Sequence, residues 1–175
     1  DAEKLLNIEE CRNAGWNIVE RQTGGGIVFH NIEEITYSLF LNLERPNLPK
    51  GLIASCNFIS QILVNALREC GVTAAELAGK KHLGNNRSDI LCFSRPTKYE
   101  VVVNGKKIIG SAQKRGKKTL MQHGSICMQK NSDNTATCLK HPQVDNSIGL
   151  LAVLGNNFST KHFIEVLVRK FTAAF

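Results

Sequence analysis

The groups in this sequence with the type and placing to do chemistry are a thiol, an amine, a run of bare backbone and two imidazoles. Cys92 stands in DILCFSRP, at a loop-to-strand junction with Arg95 and Lys98 close behind. Basic neighbours favour the thiolate, the nucleophilic form of cysteine. Lys107 follows in GKKIIGSAQ, on a predicted strand. Alternation sends Lys106 and Lys107 to opposite faces, so one of them should point inward. An inward lysine among Val and Ile is a charge donor to a substrate, whereas an edge-strand lysine snorkels and blocks aggregation; the sequence leaves both readings open. Thr23-Gly24-Gly25-Gly26 is either a flexible turn or a stretch whose N–H groups line a phosphate, a carboxylate or an acyl carbonyl. It is neither GxxxxGK[ST] nor GxGxxG. His30 lies just past the glycines. His123 precedes Gly124 and Ser125, where the glycine allows a bulge. Each histidine is either a site residue or a satisfied core residue.

The elements that must position these groups follow from the pattern. NIEECRNAG predicts a short helix with Asn7 as N-cap, Glu10 at the capping-box position and Gly15 closing it. WNIVERQ predicts a strand running into the glycines, IVFH resumes extended structure, and ITYSLFLNL is a strand by composition. Over residues 54–70 the apolar positions Phe58, Ile62, Leu63, Ala66, Leu67 and Cys70 recur at helical spacing before Gly71. Residues 80–88 are polar and Gly/Asn-rich, hence a loop. Asn104-Gly105 between β-branched runs predicts a two-residue type I′ hairpin. A second reversal at Arg115-Gly116 completes three antiparallel strands, about 99–103, 106–114 and 118–128. Residues 131–134 read as a turn. Ser159 or Thr160 caps a last amphipathic helix through Phe163, Val166, Leu167 and Phe171. The fold class expected is α+β, a mixed, mostly antiparallel sheet flanked by helices.

Composition narrows the function classes. The chain has 175 residues, 42% hydrophobic and 21% charged, the values of an ordinary globular domain. Residues 1–175 are expected to form a single domain. No apolar run approaches the ~20 residues of a membrane span, and the charged, polar start lacks a secretory h-region, so a cytoplasmic location and no membrane partner are expected. Six cysteines without CxxC or a dense cluster read as reduced thiols, and the five histidines show no zinc-ligand spacing with them, so no metal is expected. A net charge of +7 implies acidic partners. Scattered lysines and aromatics not interleaved with them argue against a nucleic-acid stacking platform, and an acidic protein partner fits the charge equally well.

ERQTGGGIVFHN, EITYSLF, CFSRPTKYEVVVNGKKIIGSAQKR and TLMQHGSI, in this order, resemble the catalytic domain shared by lipoate-protein ligases and octanoyltransferases, related to biotin-protein ligases. The resemblance covers about residues 3–128 and extends to the last helix. It implies that Arg21, Gly24, Gly25, Gly26 and His30 line an acyl pocket, and that Lys107 contacts the acyl carbonyl. Ser111 and His123 fall within matching motifs. The segment from CFSRP to MQHGSI is closest to the cysteine-dependent octanoyltransferase branch. That branch implies a Cys92 nucleophile taking octanoate from acyl carrier protein and passing it to a lysine of a lipoyl-accepting domain, such as glycine cleavage H protein or a 2-oxoacid dehydrogenase E2. No cofactor is then required. The alternatives are an ATP-dependent lipoate-protein ligase, which would need ATP and Mg, and a non-catalytic acyl or protein binder. Glu20 and Asn31 depart from the family pattern, which has arginine and aspartate there. Family members carry further strands and a helix upstream, so the chain is expected to begin part-way through the domain.

Overall fold

The computed structural model describes residues 2–80, 90–130, 134–141, 143–155 and 158–175. Two short helices, α1 (Ala2–Leu5) and α2 (Ile8–Asn13), open the chain. Asn7 stands at the N-cap of α2 as expected, but its side chain makes no capping hydrogen bond. Gly15, at φ +78°, ends the helical turn. The residues of WNIVERQ form no strand, and IVFH contributes only an isolated bridge from Ile27 to Leu91.

Five strands make one antiparallel sheet: β1 (Ile35–Asn42), β2 (Ala75–Leu77), β3 (Val101–Val103), β4 (Lys106–Arg115) and β5 (Thr119–Ile126), in the order β1-β5-β4-β3-β2. The type I′ hairpin forms as expected, with Asn104 at φ 51° and Gly105 at φ 76° joining β3 to β4. The long helix α3 (Leu52–Glu69) buries Ile59, Ile62, Leu63, Ala66 and Leu67, and Gly71 at φ +97° turns the chain out of it. Short helices α4 (Asn134–Thr137) and α5 (Leu150–Leu154) precede α6 (Thr160–Ala174), where the Ser159 side chain accepts from His162 N–H as the N-cap. Residues 81–88 and 131–133, read from sequence as loop and turn, lie outside the described residues.

Alternation along the strands divides the sheet into two faces. Val101, Val103, Ile109 and Ile126 join Leu63, Leu67, Phe163 and Val166 in the main core, so α3 and α6 cover one face. Tyr37 stacks on Phe171 of α6 at 6.1 Å, and Gln113 accepts from Ser55 of α3 on the same side. The opposite face carries Lys107, Gly110 and His123, and irregular chain from residues 16–34 and 90–100 lies against it.

The sheet's bulge is not at Gly124. Register in β5 is continuous from Thr119 to Ile126 against both neighbours. It shifts instead between Val101 and Val102 of β3, which pair with Ile109 and Lys107. That irregularity brings Lys107 and Gly110, three residues apart, onto one face, where strict alternation would separate them. Gly124 serves packing instead, since a Cβ there would stand 2.5 Å from Gly110 O and 2.6 Å from the Tyr37 ring.

Candidate active site

The inward lysine is Lys107. Its strand is interior to the sheet and its side chain is 1% exposed, whereas Lys106 is exposed. An ammonium so buried requires acceptors and a counter-charge. Lys107 Nζ donates to the Cys92 carbonyl at 2.6 Å and to Glu100 Oε1 at 2.6 Å, and lies 3.4 Å from Cys92 Sγ. The Phe93 ring flanks it at 5.1 Å. The cation placed against Cys92 is therefore this strand lysine rather than Lys98, which sits over the Tyr99 ring.

Glu100 was not among the residues singled out in the sequence. Its second oxygen accepts from Thr97 N–H at 2.6 Å, so both carboxylate oxygens are engaged. Tyr99 before it adopts φ 71°, a costly conformation for an aromatic residue, and backbone bonds from Tyr99 N to Ala78 O and from Ala78 N to Glu100 O hold it there.

Cys92 is fixed by backbone pairing on two sides. Ile27 N–H donates to Ile90 O at 2.7 Å, and Cys92 N–H donates to Ile27 O at 2.8 Å. The approach is close enough that a Cβ on Gly26 would stand 2.3 Å from Ile90 O and 2.9 Å from Cys92 N. Gly26 thus admits the segment that carries Cys92. On the other side Gln143 Oε1 accepts from Ile90 and Leu91 N–H, Asn146 N–H donates to Phe93 O, and Ile148 N–H donates to Lys107 O. Residues 143–148 therefore tie the thiol segment to the lysine strand. No sequence signal marked them.

The glycine segment closes over the same face. Gly25 has φ +115°, and the Arg21 guanidinium lies so close that a Cβ on Gly25 would meet it at 2.4 Å. Arg21 donates to Gly26 O at 3.1 Å and to Thr23 Oγ1 at 2.9 Å, and Thr23 Oγ1 is 2.7 Å from His123 Nε2. Arginine only donates, so Thr23 accepts from it; the same hydroxyl either donates to a bare Nε2 of a neutral His123 or accepts from its Nε2–H, according to the tautomer. Burial, with smaller contributions from Arg21 and His30, holds His123 below the ordinary histidine value, which favours that neutral form.

Two residues that the family resemblance named, Ser111 and His30, make their hydrogen bonds and ion pairs with groups other than Cys92 and Lys107. Ser111 is on the helix-covered face, 2.7 Å from Tyr37 Oη, in a network that continues through Gln122, Gln113 and Ser55. His30 is half exposed and pairs with Glu34 at 2.6 Å. Gly24 has no left-handed φ, and among the described residues nothing comes within 4 Å of a Cβ placed there.

The described cysteines are all free. Burial pushes Cys11 and Cys127 up to about 11 and raises Cys56 and Cys70, which keeps these four as neutral thiols near pH 7. Cys92 is half-buried and lies beside an ammonium. Leu91 and Phe93 on either side of it line a small cleft of mixed character, with Ile27, Phe29 and Leu139 on its apolar side and Thr135, Gln143 and Asp145 on its polar side. A thiol beside a cation able to polarise a carbonyl, with a cleft adjoining, is an arrangement that suits acyl transfer through a covalent intermediate.

The chain is 34% identical over 185 residues to octanoyltransferase LipM of Bacillus cereus, covering 99% of this chain and 66% of that protein. It is 32% identical to octanoyltransferase LipM of Moorella thermoacetica, covering 97% of this chain and 66% of the relative. The chain thus spans just under two thirds of the length of these relatives. Among solved structures, lipoate-protein ligase A bound with ATP superposes with a TM-score of 0.76 at 20% identity, over 99% of this chain and 64% of that one. LipL1 of P. falciparum in complex with lipoate gives 0.72 at 21% identity, over 99% and 44%. These two show a shared fold, the α+β architecture expected from the sequence. The family described as lipoyl protein ligase A/B catalytic domain matches residues 1–172, and the chain belongs to it.

Proposed function

We propose that this chain transfers an octanoyl group from acyl carrier protein, through a thioester on Cys92, to a lysine of a lipoyl-accepting domain, and so acts in protein lipoylation. The observation that carries the reading is Lys107 Nζ at 3.4 Å from Cys92 Sγ inside a buried, charge-balanced group. The names of the relatives, octanoyltransferase in each case, support it.

The Cys92 sulfur attacks the carrier's thioester carbonyl, the new C–S bond forms, and the carrier's thiol leaves with a proton. One thioester replaces another, so the step is nearly thermoneutral and needs no ATP. The acceptor lysine's amine then attacks the Cys92 thioester, an amide forms, and the Cys92 thiol is released. Lys107 polarises the carbonyl in both steps and Glu100 fixes the ammonium's position. Arg21, Gly25, Gly26, Thr23 and His123 form the cover over the reacting face, and the cleft between Ile27 and Phe93 takes the alkyl chain. The carrier and the acceptor, an H protein or an E2 lipoyl domain, are acidic partners for a chain of net charge +7.

Intact mass after incubation with octanoyl acyl carrier protein, without ATP, tests the proposal. The expected result is a hydroxylamine-sensitive octanoyl adduct on the wild type and none on Cys92→Ser. Absence of the adduct, together with lipoyl-adenylate formation from lipoate, ATP and magnesium, would assign the chain to the ligase reaction instead.

A further inference from the structure

Among the described residues, two buried side-chain polar atoms have no hydrogen-bond partner: Trp16 Nε1 and Ser125 Oγ. Trp16 packs edge-on against Phe29 in a separate apolar cluster. Ser125 is different. It is 3% exposed, in the middle of the sheet, and a buried hydroxyl is ordinarily satisfied there.

Its direction follows from the register. Strand β5 is unbroken, so Ser125 shares a face with His123, whose ring meets Thr23 of the glycine segment. Gly124 and Ile126 point the other way, towards Tyr37 and the helices. Across the ladder Ser125 pairs with Gly110. A Cβ on Gly110 would stand 3.1 Å from the Phe93 ring and 3.2 Å from Lys107 Cε. Cross-strand partners place their Cβ positions about 5 Å apart. The unpartnered hydroxyl therefore lies on the same face as the lysine that meets Cys92, next to a strand position over which the Phe93 ring and Lys107 Cε pack.

We propose that Ser125 is a catalytic residue whose hydroxyl donates to the carbonyl oxygen of the acyl thioester and to the oxyanion that forms from it. This rests on the acyl-transfer reading above. Lys107 supplies charge to that oxygen from β4, and Ser125 supplies a neutral, directional hydrogen bond from β5. Leaving the donor unsatisfied in the free protein is then the cost of having it already in place when charge develops. Ser111, which the family resemblance singled out, cannot do this, because it faces Tyr37 across the sheet.

The test compares wild type with Ser125→Ala by three measurements: thermal midpoint of the free protein, alkylation of Cys92 by iodoacetamide, and single-turnover acylation by octanoyl acyl carrier protein. The expected variant is at least as stable as wild type, because an unsatisfied buried hydroxyl has been removed. It alkylates at the wild-type rate and acylates about 100-fold more slowly, the usual effect of losing one oxyanion donor. Acylation at the wild-type rate would overturn the assignment while leaving the function intact. A lower midpoint with alkylation and acylation slowed together would mean a structural role and overturn it too. A wild type that takes up no acyl group would remove the function itself, and this assignment with it.

Discussion

Lys107 and Glu100 are buried together, 1% and 11% exposed, and each satisfies the other's charge. Removing one member leaves an uncompensated charge, so Lys107→Met should cost about 3 to 5 kcal/mol in denaturant unfolding. Lys107→Met/Glu100→Gln should recover much of that stability while still forming no octanoyl adduct, separating the pair's structural role from its chemistry. His123 gives a pH prediction. Its folded-state value is depressed by burial first, so as pH falls below about 6.5 the unfolded chain takes up a proton before the folded one. The stability associated with this histidine is therefore present above that pH and is lost as pH falls through the folded value. Its ring resonances should titrate with a midpoint below 6.5 in the folded protein; a midpoint above it would contradict the neutral Thr23–His123 contact. At this scale Cys92 and Lys107 were legible because their types are chemically rare in such positions. Glu100 was not, although an inward lysine implies a counter-charge and Glu100 lies near it in the hairpin. That Ser111 turns towards Tyr37 was not legible, because motif membership does not say which face a strand residue takes.

Among the elements, the segment carrying the thiol depends on close backbone approach at Gly26. Gly26→Ala should break the pairing of Ile27 with Ile90 and Cys92, lowering the thermal midpoint and the yield of adduct, since the atoms it meets are backbone and cannot swing aside. Gly24→Ala, with open space around it, should stay within about 0.5 kcal/mol of wild type. Equal effects at the two glycines would contradict this account of the segment. The hairpin, α3 and α6 were readable because turn chemistry and apolar period are local properties. WNIVERQ was misread as a strand because Ile18 and Val19, both exposed, fit a strand by composition but pair with no neighbour there. Residues 143–148 went unmarked because they act through main-chain bonds and one glutamine, for which no periodic pattern exists.

Over the whole molecule, helices cover one face of the sheet, while Cys92, Lys107 and His123 gather on the other, which lets one antiparallel sheet provide both core and candidate site. On that second face Thr36, Ser38 and Phe40 of β1 are exposed, so the surface beside His123 is open to a partner. With a net charge of +7, association with acidic carrier and acceptor proteins should slow as salt rises, in the association phase more than in dissociation. Rates independent of ionic strength would remove charge steering from the account. The central claim, that Cys92 holds the acyl group as an intermediate, is tested most directly by a chase. Octanoyl-enzyme is isolated free of carrier, a lipoyl-accepting domain is added, and the masses of both proteins are followed. The account predicts that the octanoyl mass leaves the enzyme as it appears on one lysine of the acceptor, without ATP. An adduct that persists on Cys92 while the acceptor stays unmodified would contradict it.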